Sequence, residues 1–458
     1  MRVLGLFLAF ALALPAHAAD ATTARALRDA ALKDDTAWRL LEDLTTSIGP
    51  RPVGSPGMER AMEWGVAQFR ALGFSNINVE EFAKPAWRRG AESAEIVAPY
   101  PMKLSVLALG RSPATPAAGI EAPVVVFRTY SEMLAQPVGA FAGRIVVVNE
   151  PMVRTQDAAG YSQINRVRTR GPVEAARRGA VAYLHRSLST GDSNAPHTGA
   201  TSWPAGEPQI PAAALGVPDA DQLERLAAGG PVRVRLNLQS HTDQDAKAWN
   251  IGAEIPGREK PEEIVLIGAH LDSWDPSPGA HDDAAGIAIT TAAAKLIAAL
   301  PKKPRRTIRV VMFGSEETGG SEKAYAEMHA RENIVIASES DLGGDRAYAL
   351  RLPAGSRDHP VMQTAAEVLS PLRIYVDTAP ATTGGADIAG LKAAGVPVFN
   401  IRQDASRYFD LHHSADDTLD KIDPDELAQN VAVWAAFLYT VANSDIDFRA
   451  KPATEGPK

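Results

Sequence analysis

Residues 264–300 read IVLIGAHLDSWDPSPGAHDDAAGIAITTAAAKLIAAL, and this stretch decides the fold class. Four apolar residues at its start predict a buried strand, and the apolar, Ala-rich run from Ala284 to Leu300 predicts a helix after a loop. The sequence TIRVVMF at residues 307–313 predicts a second strand, and a second helix follows. Such alternation is typical of parallel strands with helices on both faces. We therefore predict an α/β fold: a mixed, mostly parallel sheet flanked by helices.

Five polar clusters lie along this part of the chain, and three of them follow runs of strand character at residues 264–267, 307–313 and 334–336. They are GAHLDSW (268–274), GAHDDAAG (279–286), GSEETGG (314–320), ESDLGG (339–344) and YFDLHHSADDT (408–418). Each alone has an ordinary explanation as a capped turn. Because α/β sheets bind ligands at the carboxyl ends of their strands, the ordered set indicates a carboxylate and imidazole site. About five ligands are enough for two metal ions that share a bridging ligand.

Two of the clusters suggest individual roles. His270 and Asp272 are two residues apart, so in extended backbone they face the same side and Asp272 can hold the imidazole of His270. Glu316 and Glu317 are adjacent at a strand end and can diverge. One is then free to bind a metal and the other to take a proton from the attacking water.

The composition excludes several classes of function. The chain has 458 residues, of which 45% are hydrophobic and 22% charged, as expected of a soluble globular protein with a large core. Its net charge is −8 and it has no Lys/Arg tract, so we expect no nucleic-acid partner. Cysteine is absent, so any metal must be held by His, Asp and Glu. The absence of a G-x-S-x-G motif disfavours a serine hydrolase.

The N-terminus has the pattern of a secretory signal. Met1-Arg2 precedes an apolar run at residues 3–14 and then PAHA at residues 15–18, which predicts cleavage after Ala18 or Ala19. About 12 apolar residues are too few to span a bilayer, which needs roughly 20. We expect a secreted or periplasmic protein with no membrane partner.

Residues 105–245 differ in character from the flanking sequence. Short β-rich runs alternate with Gly and Pro turns, with two short helices near residues 173–178 and 221–227, which indicates an inserted β-rich domain. The predicted division is a signal peptide, the N-terminal part of the main domain, the insert, the rest of the main domain and a flexible tail. Their bounds are 1–18, 19–104, 105–245, 246–450 and 451–458.

The ordered clusters resemble those of the co-catalytic zinc exopeptidases of the M28 (aminopeptidase Y) family. IGPRPVGS at residues 48–55, Asn250-Ile251, GAHLDSW and His412-His413-Ser414 are similar to the plasma glutamate carboxypeptidase (carboxypeptidase Q) branch of that family. The resemblance spans nearly all of the chain after the signal. It implies a zinc exopeptidase fold with a protease-associated-like insert.

The resemblance also implies two zinc ions per chain and a role for each residue of the site. The implied metal ligands are Asp282 as the bridge, His270 and Asp341 for one ion, and Glu317 and His413 for the other. Glu316 would be the general base and Asp272 the carboxylate behind His270. The peptide bond between Asp282 and Asp283 is expected to be cis.

Two residues near these positions are open to interpretation. The resemblance favours His413 over the adjacent His412 as the ligand, which leaves His412 to polarise the substrate carbonyl. Asp387, in the sequence TTGGAD at residues 382–387, either meets the free α-amino group of a substrate or is the carboxylate of a turn.

The function implied is that of an exopeptidase that hydrolyses dipeptides or short peptides through a metal-bridged water. Release of N-terminal residues by an aminopeptidase is the alternative within the family, and amidohydrolase or cyclotransferase chemistry is a further one. A metal-free binding or receptor module is the alternative from a different class, although all five ligand positions and Glu316 are intact. The branch also implies a homodimer, for which the periodicity of the sequence offers no support.

Overall fold

The computed structural model of the protein describes residues 16–449. The predicted signal peptide lies outside this range except for its last three residues, and the predicted tail 451–458 lies outside it entirely. No helix in the described range is long and apolar enough to cross a membrane.

Eighteen strands and fourteen α-helices form within residues 16–449. The strands are β1 Ser75–Ala83, β2 Ala86–Arg88, β3 Glu92–Ala98, β4 Met102–Leu104, β5 Val106–Ala108, β6 Ile120–Phe127, β7 Ile145–Val148, β8 Ala182–Arg186, β9 Ala212–Leu215, β10 Arg233–Leu238, β11 His241–Asp243, β12 Lys247–Ile255, β13 Lys260–His270, β14 Arg306–Phe313, β15 Asn333–Glu339, β16 Ala347–Arg351, β17 Tyr375–Val376 and β18 Asn400–Gln403. The helices are α1 Ala16–Ala31, α2 Thr36–Asp43, α3 Pro56–Ala71, α4 Tyr130–Leu134, α5 Ala159–Ile164, α6 Arg166–Thr169, α7 Gly171–Arg177, α8 Val217–Gly229, α9 Ala285–Ala298, α10 Ser321–Met328, α11 Pro360–Leu369, α12 Ala389–Ala393, α13 Tyr408–Leu411 and α14 Pro424–Asn443.

The first sheet has five strands in the order β1-β12-β14-β13-β15. β13 is parallel to both β14 and β15, whereas β12 is antiparallel to β1 and β14, so the sheet is mixed. Both faces of β13 are buried. Val265 and Ile267 pack with α9 and α14, whereas Ile264 and Leu266 pack with α10 and α12. Burial on both faces explains why this strand is a continuous apolar run.

The second sheet has eight strands in the order β4-β3-β10-β6-β7-β8-β9-β5. The strands β6 to β9 pair in parallel, and apolar cores lie on both faces of the sheet. The sheet begins at β3, before residue 105, because β3 pairs with the distant β10 and local sequence does not reveal such a partner.

Five helices, α4 to α8, connect the strands of the second sheet, where the sequence pattern predicts two. Helices α5 and α6 have six and four residues and no side-chain N-cap, so they leave no periodic or capping signal in the sequence. The division of the chain into domains stays a prediction.

Candidate active site

The polar clusters meet at one edge of the first sheet, because three neighbouring strands end there. His270 is the last residue of β13, Glu316 and Glu317 follow β14, and Asp341 follows β15. The fourth contribution, Asp282, comes from the irregular turn Ala280–Ala284 before α9. The topology therefore brings together residues that are far apart in the sequence.

The carboxylate of Asp282 lies between two histidines. Its Oδ1 is 3.0 Å from Nε2 of His270, and its Oδ2 is 3.2 Å from Nε2 of His413. On the first side, His270 Nε2 is also 3.5 Å from Oδ1 of Asp341. On the second side, His413 Nε2 is 2.9 Å from Oε2 of Glu317. All five residues predicted as ligands thus lie together, with Asp282 in the central position.

The donor set suits metal cations. The ligand atoms of His270, Asp282 and Asp341 lie within 4.8 Å of one another. Asp282 Oδ2 and Glu317 Oε1 are buried without a hydrogen-bond partner. A buried carboxylate oxygen without a donor is costly unless a cation compensates it. Imidazole and carboxylate ligands without thiolates fit zinc, so the residues present fit the predicted ions.

His412 and His413 occupy different environments although they are adjacent. His413 contacts both Asp282 and Glu317, whereas Nε2 of His412 is 3.8 Å from Oδ2 of Asp282. The ring of His412 stacks on that of His413 at 3.5 Å between centroids and also contacts the rings of Tyr161, Tyr408 and Phe409. Burial and the neighbouring His413 hold the pKa of His412 well below its ordinary value. This geometry favours His413 as the ligand.

The carboxylate of Asp272 lies closer to the loop that carries Glu316 and Glu317 than to the imidazole of His270, which it was expected to hold. Its carboxylate accepts hydrogen bonds from the backbone N–H groups of Glu316 at 2.9 Å and Glu317 at 3.3 Å. The Nδ1 of His270 is 2.9 Å from the main-chain oxygen of Asp272 and 3.6 Å from its carboxylate. The main chain therefore orients the imidazole, which leaves the side chain to position the loop that carries Glu316.

Glu316 lines the cleft above these residues. Burial raises the pKa of Glu316 well above its ordinary value, and the carboxylates of Asp341 and Glu317 add to the shift. Burial also raises the pKa of Glu317, to about 7. A carboxyl group with a raised pKa next to a hydrolytic centre can both accept and return a proton.

Two further aspartates hold the backbone of the central turn. Asp417 accepts hydrogen bonds from the backbone N–H groups of His281 at 2.6 Å and Asp282 at 3.0 Å. Asp283 accepts from the N–H groups of His270 and Gly286, each at 3.1 Å. The peptide bond between Asp282 and Asp283 is cis, as expected. These carboxylates are engaged with backbone and support the position of Asp282.

Arg51, in the IGPRPVGS motif, is a site residue that the sequence analysis did not identify. It is completely buried, and its Nε donates to the carbonyl of Leu271 at 2.5 Å while Nη1 donates to the carbonyl of Pro278. Burial lowers the pKa of Arg51 to about 10, and the carboxylates of four aspartates, led by Asp272, oppose this shift. Arg51 stays charged at neutral pH and offsets part of the negative charge behind the centre. The sequence did contain one sign of this role, since Arg51 is the one charged residue in the Gly- and Pro-rich motif at residues 48–55.

The second sheet also contributes to the site. Arg168 of α6 donates from Nη1 to the carbonyl of Thr198 at 3.2 Å, and the same carbonyl is 3.2 Å from Nδ1 of His413. Its Nη2 donates to the hydroxyl of Tyr161, whose ring stacks on Phe409 at 4.7 Å. With Nδ1–H donating to Thr198, the Nε2 lone pair of His413 faces Asp282 and Glu317. No motif marks these residues in the sequence.

Asp387 is buried and contacts Ser321 and Glu339. Its carboxylate accepts a hydrogen bond from the hydroxyl of Ser321, and its N–H donates to Oε2 of Glu339 at 2.9 Å. Burial raises the pKa of Asp387 to about 8. Of the two interpretations, these contacts favour a structural carboxylate.

The cleft over the centre has a volume of about 380 Å³ and is lined from both sheets. Arg111, Tyr161 and Arg168 come from the segment of the second sheet, whereas Glu316 and Asp341 come from the first. A substrate in the cleft would therefore contact both parts of the chain.

Three comparisons with known proteins agree with this geometry. The model of peptidase family M28 matches residues 250–438. Carboxypeptidase Q of Mus musculus is 36% identical over 408 residues, which cover 88% of this chain and 84% of the relative. The crystal structure of a peptidase M28 precursor from Shewanella amazonensis SB2B is 41% identical, with a TM-score of 0.92 over 96% of this chain and 100% of that one.

A more distant structure extends the likeness in fold. The zinc aminopeptidase BSAP from Bacillus subtilis superposes with a TM-score of 0.67 at 19% identity, over 90% of this chain and 96% of that chain. The predicted α/β fold class and the predicted family are confirmed. The chain belongs to peptidase family M28 and is a metallo-exopeptidase.

Proposed function

We propose that this peptidase is a secreted or periplasmic di-zinc enzyme that hydrolyses dipeptides or short peptides. The observation that carries the proposal is the central carboxylate of Asp282, which directs one oxygen to each of two histidines, His270 and His413. Each histidine has a further carboxylate neighbour, Asp341 on one side and Glu317 on the other. Two three-residue ligand sets that share one carboxylate are what a two-metal hydrolase requires.

The proposed ligands are Asp282 as the bridge, His270 and Asp341 for one zinc ion, and Glu317 and His413 for the other. When bound, zinc supplies Lewis-acid chemistry, which polarises the scissile carbonyl and acidifies the attacking water. Arg51 compensates only part of the charge of the neighbouring aspartates, which favours cations at the centre.

Glu316 carries the proton in the proposed reaction. Its carboxylate accepts a proton from the attacking water and then returns it to the nitrogen of the leaving amine. The raised pKa of Glu316, which results from burial, suits a group that must do both. Asp272 keeps Glu316 in place through its hydrogen bond to the backbone N–H of that residue.

The relatives support exopeptidase action next to a free terminus. The mouse relative is named carboxypeptidase Q, which favours cleavage at the carboxyl side of a short peptide. The N-terminal signal pattern supports export of the enzyme. The homodimer that the resemblance implies is checked by light scattering of the purified protein.

The test is hydrolysis of four compounds, followed by mass spectrometry with and without a chelator. The compounds are a free dipeptide, its N-acetyl form, its amide and an aminoacyl-p-nitroanilide. We expect cleavage of the free dipeptide, loss of cleavage on chelation and recovery with added Zn²⁺.

The pattern across the panel separates the alternatives. Equal cleavage of the amide and the anilide would instead assign the enzyme to the aminopeptidases. No cleavage of any compound in the presence of Zn²⁺ would contradict the proposed function.

A further inference from the structure

Two cations meet at one carbonyl on the rim of the cleft. Nζ of Lys84 donates to the main-chain oxygen of Thr318 at 2.9 Å, and Nη2 of Arg111 donates to the same oxygen. Lys84 follows β1, and Arg111 follows β5 of the second sheet. Arg111 and Thr318 line the cleft, and Lys84 contacts the same carbonyl from the first sheet. Positive charge from both parts of the chain therefore meets at one carbonyl beside the cleft.

Neither cation forms an ion pair with a carboxylate within residues 20–449. Arg89 and Arg309, by contrast, are paired with carboxylates: Arg89 contacts Asp275 at 2.6 Å, and Arg309 contacts Glu254 at 2.6 Å. Arg51 and Arg168 donate to main-chain carbonyls, as Lys84 and Arg111 do. What distinguishes Lys84 and Arg111 is that the two cations share one acceptor.

The pair is electrostatically unfavourable without an anion. Burial and the charge of Arg111 lower the pKa of Lys84 to about 8, while Asp272 and Glu322 oppose this shift only in part. Partial desolvation also lowers the pKa of Arg111, although the residue as a whole is exposed. The shift of Lys84 means that the folded protein holds this charge at a cost. A bound carboxylate would remove that cost, because it supplies the missing partner.

The location relates the pair to the chemistry. Thr318 directly follows Glu316 and Glu317, and Thr318 lines the same cleft as Arg111. In a dipeptide the carboxylate lies one residue, about 3.6 Å, beyond the scissile bond. A carboxylate receptor next to the catalytic loop therefore matches the shortest peptide substrate.

We propose that Lys84 and Arg111 bind the C-terminal carboxylate of the substrate and so select peptides with a free carboxyl group one residue beyond the scissile bond. This inference rests on the proposed exopeptidase function and assigns its specificity to two residues. It also explains why the second sheet lines the cleft, since Arg111 belongs to that part of the chain.

The backbone at Arg111 makes its substitution interpretable. Arg111 has a φ of 66°, and its carbonyl accepts a hydrogen bond from the indole N–H of Trp203 at 2.8 Å. Glutamine at position 111 would have the same backbone conformation at a similar cost. The side chain is exposed, so the variant removes the charge without opening a cavity.

The kinetic test compares a free dipeptide with its amide. The variants are Arg111→Gln, Lys84→Met, the double variant and Arg111→Lys, and the control is Arg225→Gln on the exposed face of α8. We expect each single neutral variant to reduce the ratio of kcat/KM between free dipeptide and amide about tenfold, through KM. The double variant should reduce the ratio about 100-fold, because each lost charge-assisted hydrogen bond contributes a factor of about ten and the two factors multiply. Arg111→Lys should restore part of the ratio, and Arg225→Gln should leave it unchanged.

A binding measurement separates this inference from the proposed function. Calorimetry with a reduced-bond dipeptide, in free-acid and amide forms, reports carboxylate recognition without turnover. If the wild type cleaves nothing but prefers the free acid, and the double variant loses that preference, the proposed function fails while the carboxylate site stands. If the double variant retains the preference, or the wild type has none, Lys84 and Arg111 are not the carboxylate site.

Discussion

At the scale of single residues, the site depends on carboxylates with distinct partners. Asp282 faces both histidines, whereas Asp272, Asp283 and Asp417 accept hydrogen bonds from backbone N–H groups around them. The oxygens of these three aspartates are occupied by hydrogen bonds from the backbone, so they are not free to accept a proton from a substrate or a water molecule. This leaves Glu316, which lines the cleft, as the group available for acid–base chemistry.

Replacement of Glu316 by Gln tests that role. Gln has nearly the same size and can still form hydrogen bonds, but it cannot accept the proton of the attacking water. We expect kcat to fall about 100- to 10,000-fold, because general-base catalysis contributes a factor of this order. Zinc content, measured by atomic absorption, should not change. Glu327→Gln, at an exposed position of α10, is the matched control. Retention of more than about a tenth of kcat would contradict the role of Glu316.

At the scale of secondary-structure elements, the carboxyl ends of β13, β14 and β15 place proposed ligands, and the short helix α6 contacts one of the proposed ligands, His413, from the second sheet. Arg168 of α6 is buried and lies 3.2 Å from Nδ1 of His413. Arg168 donates a hydrogen bond to the carbonyl of Thr198. It thereby holds in place the oxygen that accepts the hydrogen bond from Nδ1–H of His413. Helix α6 thus acts on the proposed metal ligand through one carbonyl.

Removal of the Arg168 guanidinium tests this connection. We expect Arg168→Gln to weaken zinc binding about 10- to 100-fold, because loss of a group that orients a ligating histidine has an effect of this size. The measurement is a competition titration of the folded protein with a chromophoric chelator. The exposed neighbour Arg170→Gln is the control and should bind zinc as the wild type does. Unchanged affinity in Arg168→Gln would show that α6 does not act on His413.

At the scale of the whole molecule, we expect stability at acid pH to depend on buried histidines of the second sheet. His185 of β8 is completely buried, and its Nδ1 is 2.5 Å from the carbonyl of Arg186. Burial lowers the pKa of His185 to about 4. The unfolded chain binds a proton at His185 below about pH 6.5, whereas the folded chain does not until about pH 4. The contribution to stability is therefore complete above about pH 6.5 and is lost as the pH falls toward 4.

His185→Asn should reduce this pH dependence. Asn keeps a donor for the Arg186 carbonyl but does not titrate. We expect the loss of unfolding free energy between pH 7 and pH 5 to be smaller than in the wild type by about 2 kcal/mol. Urea unfolding at both pH values, with chelator present, measures it. The exposed His241→Asn is the control. Equal losses in wild type and His185→Asn would contradict a depressed pKa.

The sequence by itself determined the fold class, the family and the order of the polar clusters. It could do so because an apolar strand such as residues 264–267 and a motif such as GAHLDSW are local, and local patterns report burial and chemistry directly. The same motifs led to the five proposed ligands and Glu316, whose roles stay predictions.

The tertiary structure alone decided which groups act on one another. It placed Arg51 among the aspartates, directed the carboxylate of Asp272 to the Glu316 loop and brought Arg168 to His413. It also paired β3 with β10 and brought Lys84 and Arg111 to one carbonyl. These contacts join residues that are distant in sequence and share no periodicity, so only the pairing of strands within each sheet and the packing of the two sheets create them.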